Sequence, residues 1–222
     1  MSVLVTGGAN GLGAAVVAAV QEAGGEAYVL DRVPVGGVPH VPVDLADTRA
    51  AERATVELAT QAGGFDGVVT AAGIDLPGTL LEVPAADWER VIAVDLLAVA
   101  AVIRAALPHL VPGGRIVTVA STLGVTAVSD ATAYCAAKFG VVGFTRALAA
   151  ELAGRYGVTL LVPGGMRTRF FDERADRYKP GPDAKLNDPA NVAQAVLFAL
   201  TQPAGCEIRE LVVCANEESS YP

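Results

Sequence analysis

Tyr134 and Lys138, followed by the apolar run Phe139-Gly140-Val141-Val142-Gly143-Phe144, are the residues of this sequence best suited to chemistry. If the run is helical, side chains at i and i+4 share a face, and an ammonium lies beside a phenol. A free tyrosine has a pKa of about 10, too high for proton transfer at neutral pH, and an adjacent cation lowers it by favouring the phenolate. Such a pair suits general acid/base work. The same spacing occurs on many surface helices, so its meaning depends on what surrounds it.

The chain has 222 residues, which is most simply one domain, 1–222, with a sizeable core. A formal charge of −8 without a basic run disfavours nucleic acid and anionic membrane surfaces as partners. Hydrophobic residues make up 52% of the chain, but the apolar run around Val91 to Ile103 is interrupted by Asp95, so no spanning segment is expected. That apolar excess fits helices packed on both faces of a buried parallel sheet. Because the chain enters a strand at Ser2 with no leader-like stretch before it, a cytoplasmic protein is expected. Cys135, Cys206 and Cys214 lack metal-type spacing, and His40 and His109 lack partners, so no metal site and no triad chemistry are expected.

Ser2 to Thr6 reads as a buried strand and Gly11 to Ala23 as a helix, joined by Thr6-Gly7-Gly8-Ala9-Asn10-Gly11-Leu12-Gly13. Glycines there let the backbone approach a pyrophosphate, and the helix start behind them supplies N–H donors and a positive dipole end. A second strand, Glu26 to Leu30, ends on Asp31, where a carboxylate accepts hydrogen bonds from ribose hydroxyls and repels a 2′-phosphate. This favours NAD over NADP, while Arg32 beside it offers a cation that a phosphate or an adenine could use. A third strand, His40 to Val43, leads to Asp44-Leu45, a helix spans Asp47 to Ala62, and a fourth strand, Gly67 to Thr70, runs into Ala71-Ala72-Gly73.

From Pro84 a long helical region is expected through Leu107, closed by Pro108 and Pro112-Gly113-Gly114, with Asp95 the one charge in its apolar middle. A buried carboxylate is costly without a partner, so Asp95 lies on a polar seam or has one. Arg115 to Ala120 forms a fifth strand with Ser121 at its carboxyl end, where open α/β sheets place ligands. The helix carrying Tyr134 is expected to run to about Tyr156. A sixth strand, Val158 to Val162, leads to Pro163-Gly164-Gly165-Met166-Arg167-Thr168. Segment 169–187 turns to mixed charge with aromatics and is a candidate substrate cover, its interleaved charges reading as a solvated face. Asp188-Pro189 begins a last helix, and Arg209 to Cys214 a last strand. Alternating strands and helices imply an α/β fold: a single-domain, doubly wound parallel sheet of about seven strands with helices on both faces.

Taken together, the Thr6-to-Gly13 turn, Ser121, Tyr134-x-x-x-Lys138 and Pro163-Gly164 with Thr168 resemble the short-chain dehydrogenase/reductase family over nearly the whole chain. The resemblance implies a Rossmann-type fold and an NAD(H)-dependent oxidoreductase, with NADP a second option. Its reaction interconverts a secondary alcohol and a ketone or aldehyde. It implies that Tyr134 exchanges the proton with the substrate oxygen, that Ser121 polarises that oxygen, and that Lys138 holds the nicotinamide ribose and depresses the tyrosine pKa. Gly7, Asn10, Gly11, Leu12, Gly13, Ala72 and Gly73 would line the nucleotide, Asp44 and Leu45 would meet the adenine, and Pro163, Gly164, Met166 and Thr168 the nicotinamide end. It also implies a homodimer or homotetramer, through the helices around Asp95 and Tyr134.

This chain departs from the family pattern in three places. Ala71 replaces the usual Asn of the Asn-Ala-Gly stretch, Asp95 replaces the usual catalytic asparagine, and the run from Gly157 to Pro163 looks about two residues short. An ionised Asp cannot donate a hydrogen bond, and near Lys138 it would form an ion pair that raises the lysine pKa. The first two departures also admit an alternative: a nucleotide-binding sensor or scaffold of the same fold that has lost turnover.

Overall fold

The computed structural model describes residues 1–218, 220 and 221. Seven strands form one parallel sheet in the order β3-β2-β1-β4-β5-β6-β7. They are β1 (Ser2–Thr6), β2 (Glu26–Asp31), β3 (His40–Pro42), β4 (Phe65–Thr70), β5 (Leu110–Val119), β6 (Gly157–Pro163) and β7 (Glu210–Val213). The order reverses at β1, beside β4, which is the switch point where such sheets open a crevice at their carboxyl ends.

Apolar residues cover both faces because successive strand side chains point to opposite sides. Val3 and Val5 of β1 join Val29, Val69, Val117 and Leu161 under helices α1 (Gly11–Glu22) and α6 (Pro189–Leu200). Leu4 joins Leu30, Phe65, Ile116 and Leu160 on the other face, under α2 (Thr48–Ala62), α4 (Ala98–Ala106) and α5 (Thr132–Glu151). Local signals set the helix starts. Asp47 accepts the N–H groups of Arg49 and Ala50 at 3.0 and 2.9 Å, and Asp188 accepts that of Ala190 at 2.9 Å ahead of α6.

The expected long helix is continuous but not uniform. It runs as α3 (Ala85–Ile92), a π-helical segment Ala93–Leu97 centred on Asp95, α4, and a short 3₁₀ turn Leu107–His109. By length and composition the run Ala85–His109 is apolar enough to cross a membrane, contrary to the sequence count that treated Asp95 as a break. Half of its apolar window is buried within the fold, which is the position of a core helix.

Two other boundaries differ from expectation. β5 begins at Leu110, and Pro112-Gly113-Gly114 bulges within the strand: pairing jumps from Phe65–Leu110 to Gly67–Arg115, with Gly113 at φ 79°. The helix bearing Tyr134 ends at Glu151 rather than near Tyr156, because the chain turns through Leu152 and Gly154 at φ 77°.

Candidate active site

Tyr134 and Lys138 lie one turn apart in the first half of α5, with Lys138 Nζ 5.4 Å from the centre of the Tyr134 ring. Ser121 stands just beyond β5, where its Oγ accepts the N–H of Leu123 at 3.1 Å, and it is near enough to Tyr134 to act on its pKa. The strand end and the helix start thus bring the hydroxyl, phenol and ammonium together. Lys138 donates to the Val119 carbonyl at 3.2 Å, which ties the ammonium to β5.

Asp95 has the partner that its burial demands. Its Oδ2 lies 3.2 Å from Lys138 Nζ, with 0% of the Asp95 and 4% of the Lys138 side chain exposed. Its Oδ1 accepts the Ile74 N–H at 2.8 Å, and a Cβ at Gly73 would stand 3.0 Å from Oδ2, so only glycine leaves room there. The π-helical segment inserts one extra residue per turn at this point, a feature frequent at functional sites. Burial pushes the Asp95 carboxyl up, against the pull of Lys138. Burial opposes the Lys138 charge, but the Asp95 carboxylate and the Tyr134 oxygen outweigh it and hold the ammonium above its usual value.

Tyr134 departs from the sequence expectation. Burial pushes its phenol above the ordinary tyrosine value; Lys138 pulls it down, Asp95 pushes it up, Ser121 lowers it and Asp75 raises it again. The sequence showed the cation at i+4 but neither the depth of burial nor the carboxylates that face it.

The glycine turn is built for close approach. Gly7 has φ 74°, and a Cβ on it would sit 2.8 Å from Ala72 Cα; a Cβ on Gly13 would lie 2.1 Å from the Gly7 carbonyl oxygen. Asn10 caps α1 in extended conformation without any side-chain bond to the first turn, leaving those N–H groups for a ligand. Asp31 closes the turn from β2: Oδ2 accepts the Ala9 N–H at 3.0 Å and Oδ1 the Val33 N–H at 2.9 Å, while Arg32 is exposed beside it. This turn fits a dinucleotide, since its glycines let β1, α1 and the Ala72 segment pack closely, the first-turn N–H groups of α1 have no side-chain cap and a carboxylate stands at the neighbouring strand end.

Other expected contacts are redistributed. Leu12 and Leu45 are buried in the two core layers, Leu45 beside Thr6 and Ala72 at the carboxyl end of the sheet. Asp44 is an ion-pair partner of Arg90, 2.8 Å away, and accepts the Ala46 N–H at 3.0 Å. At the far end of the crevice Pro163 ends β6 and Gly164 follows it, Met166 bridges to Asn187, and Thr168 caps the turn Arg169–Phe171. Gly11 and Thr168 adjoin: a Cβ on Gly11 would stand 3.4 Å from the Thr168 side chain. The two ends of the proposed nucleotide site therefore meet.

Sequence reasoning missed three residues here. Arg174, placed on a solvated face, instead donates to Asp75 Oδ2 at 2.7 Å with only 13% and 5% of the two side chains exposed. Its guanidinium stacks 4.9 and 4.6 Å from the ring centres of Phe170 and Phe171, and Phe170 packs 5.8 Å from Tyr134. Segment 169–187 is thus fastened over the tyrosine, helped by a bond from the Tyr178 hydroxyl to Asp130 Oδ2 at 3.1 Å. Glu218, near the end of the chain, accepts the Gly165 N–H at 2.9 Å. Interleaved signs hid Arg174, and nothing in the sequence ties a residue this distant to Gly165. Among the described residues no group of three or more His, Cys, Asp or Glu could hold a metal.

Comparison with known families matches residues 1–179 to "short chain dehydrogenase". An L-fucose dehydrogenase of Mus musculus is 30% identical, over 99% of this chain and 89% of its own length. A 3-oxoacyl-[acyl-carrier-protein] reductase of Vibrio harveyi is 29% identical over 90% of each. Among solved structures, a short chain dehydrogenase from Burkholderia cenocepacia in complex with NADP superposes with a TM-score of 0.85, at 26% identity and 96% coverage of both chains.

Proposed function

This chain belongs to the short-chain dehydrogenase family and is an oxidoreductase, and we propose that it interconverts a secondary alcohol and a ketone, or a primary alcohol and an aldehyde, using NAD(H). The observation that carries the reading is the convergence of Ser121, Tyr134 and Lys138 at the carboxyl edge of the sheet, beside the glycine cradle. The names of the fucose dehydrogenase and the acyl-carrier reductase, both of which act on alcohol or carbonyl groups, support it.

Gly7, Gly11, Gly13 and the first turn of α1 would hold the pyrophosphate, Asp31 the adenosine ribose, and the Pro163-to-Thr168 stretch the nicotinamide end. When bound, the nicotinamide supplies or accepts the hydride. Tyr134 Oη moves the proton to or from the substrate oxygen, and Ser121 Oγ donates to that oxygen as charge builds on it. Lys138, charged throughout the neutral range, favours the phenolate form of Tyr134 and counters the effect of burial. Segment 169–187, with Phe170 against Tyr134, excludes water from the reacting centre. The preference for NAD follows from Asp31, whose fixed carboxylate would meet a 2′-phosphate with like charge. We place the protein in the cytoplasm as part of the same reading.

The test is cofactor reduction and oxidation across a panel of secondary alcohols and ketones, comparing the native chain with Tyr134→Phe. A fall of roughly 10² to 10⁴ in turnover is expected, with cofactor affinity kept. Unchanged turnover in Tyr134→Phe would remove the assigned mechanism. A second reading, a cofactor-binding sensor, draws on Asp95 clamping Lys138 where the family has an amide. Sustained turnover of any physiological substrate rules it out.

A further inference from the structure

Asp75 and Arg174 lie outside the proton-transfer group yet close to it. Asp75 follows Ile74, whose N–H is held by Asp95, so one short loop joins the two buried ion pairs. Charge passes between them and the reacting centre: the Asp75 carboxylate raises the Tyr134 phenol, and the Arg174 guanidinium senses the Tyr134 oxygen.

The hydrogen-bonding of the pair is incomplete. Arg174 spends one terminal nitrogen on Asp75 at 2.7 Å and the other on the Tyr178 carbonyl at 3.4 Å, while the mutually perpendicular rings of Phe170 and Phe171 lie against its guanidinium. Its Nε–H is buried without an acceptor. A buried, charged donor left unpaired is costly, and such groups mark where a partner is missing. Asp75 keeps lone pairs free, because a carboxylate has about four acceptor positions and this one serves Arg174 and the Leu76 N–H. The site therefore presents one strong donor and spare acceptors at zero net charge. A substrate carboxylate would satisfy the donor but meet the Asp75 charge, whereas a hydroxyl both accepts and donates and satisfies the two together.

Building on the oxidoreductase reading above, we infer that Asp75 and Arg174 are specificity-determining residues that recognise a hydroxyl next to the reacting carbon, so that the substrates are neutral vicinal diols or sugar-like polyols. A site that holds a hydroxyl between charged groups discriminates against the analogue lacking it, because its own polar groups then stay unpaired. The same pair ties segment 169–187 to the loop that follows β4.

The probes are cis-1,2-cyclohexanediol and cyclohexanol, with NAD, measured by initial rates and by calorimetric binding to the enzyme–cofactor complex. The native chain should favour the diol by roughly 10- to 100-fold in kcat/KM, corresponding to one charge-assisted hydrogen bond. Asp75→Asn and Arg174→Lys should bring the ratio to within about threefold of unity; both alcohols use Tyr134, so an effect of the substitution on its phenol cancels in the ratio. Arg174→Lys keeps the charge and the tie to Asp75 but removes Nε–H, so a purely structural latch would leave its ratio unchanged. An unaltered ratio in both variants overturns the proposal, as does a native chain that treats the two alcohols alike. Should neither alcohol be oxidised, that outcome bears on the proposed secondary-alcohol reaction alone, and calorimetry still decides this one. Diol binding that Asp75→Asn abolishes supports it, and no diol binding to the native complex overturns it.

Discussion

Asp95 and Lys138 form an ion pair, 3.2 Å apart, in which neither side chain has appreciable contact with solvent. The carboxylate thereby acts twice on the reacting centre: it holds the ammonium in its charged form and pushes the Tyr134 phenol upward. In the proposed mechanism oxidation of an alcohol needs Tyr134 as proton acceptor, so activity should rise with pH toward a tyrosine value that burial, and then Asp95 and Asp75, raise. Asp95→Asn removes one of these charges, and the rising limb of the kcat/KM profile should move to lower pH. A profile that stays in place would show that the Asp95 charge does not reach the tyrosine. Asp95→Leu leaves Lys138 buried and unpaired, and denaturant unfolding should report a loss of about 3–5 kcal/mol. Asn keeps an acceptor for the Ile74 N–H and should cost less.

The proposed preference for NAD rests on Asp31. Both carboxylate oxygens are held by backbone N–H groups, so the charge cannot swing away from an incoming 2′-phosphate. Asp31→Ser should shift the ratio of kcat/KM values toward NADP by at least tenfold, since a like-charge contact costs several kcal/mol. Arg32, exposed beside it, is then free to meet the phosphate, and Arg32→Ala in the Asp31→Ser background should reverse most of the gain. A native chain that prefers NADP would defeat this assignment.

Strand-and-turn chemistry was legible before the structure because it is local. Val3, Leu4 and Val5 are buried on both faces, and Asp47 and Asp188 cap the helices that their positions announce. Tyr134 and Lys138 met because helical spacing alone puts them together. Long-range electrostatics was legible only where the family resemblance placed two residues together: the expected ion pair of Asp95 with Lys138, and the raised lysine, are present. The pairing of Asp75 with Arg174 and the reach of Glu218 to Gly165 join segments that periodicity treats as independent. Direction of the Tyr134 shift failed for the same reason, since it depends on burial and on the Asp95 and Asp75 carboxylates, which come from distant parts of the chain.

At the glycine cradle, Gly13 carries a prediction with a sharp steric cause. A Cβ there would lie 2.1 Å from the Gly7 carbonyl oxygen, and no side-chain adjustment relieves a clash with backbone. Gly13→Ala must displace the start of α1 from β1, destabilising the fold by about 1–3 kcal/mol. It should also weaken NAD binding by at least tenfold, measured by calorimetry. Gly24→Ala serves as a comparison for stability alone: it has open space around it but φ 76°, so it should lose stability with cofactor affinity kept. Equal cofactor affinity in Gly13→Ala and the native chain would remove the turn from the binding site.

Leu97 and Phe139 are 51% and 45% exposed, unusual for large apolar side chains on neighbouring helical segments. Leu96, between Asp95 and Leu97, packs on Gly140 beside Phe139, so the same contact that buries the ion pair leaves these two residues facing outward. We propose that a second copy of the chain covers them. A stable interface of this kind buries about 1,600 Å² in total, and its apolar centre tolerates no unpaired charge. Light scattering at micromolar concentration should give a dimer or tetramer for the native chain and smaller species for Leu97→Glu with Phe139→Glu. Both side chains are exposed, so loss of activity on dissociation would mean that assembly steadies Asp95 and α5, whereas retained activity would mean a self-sufficient subunit. A native chain that is monomeric under these conditions refutes the interface.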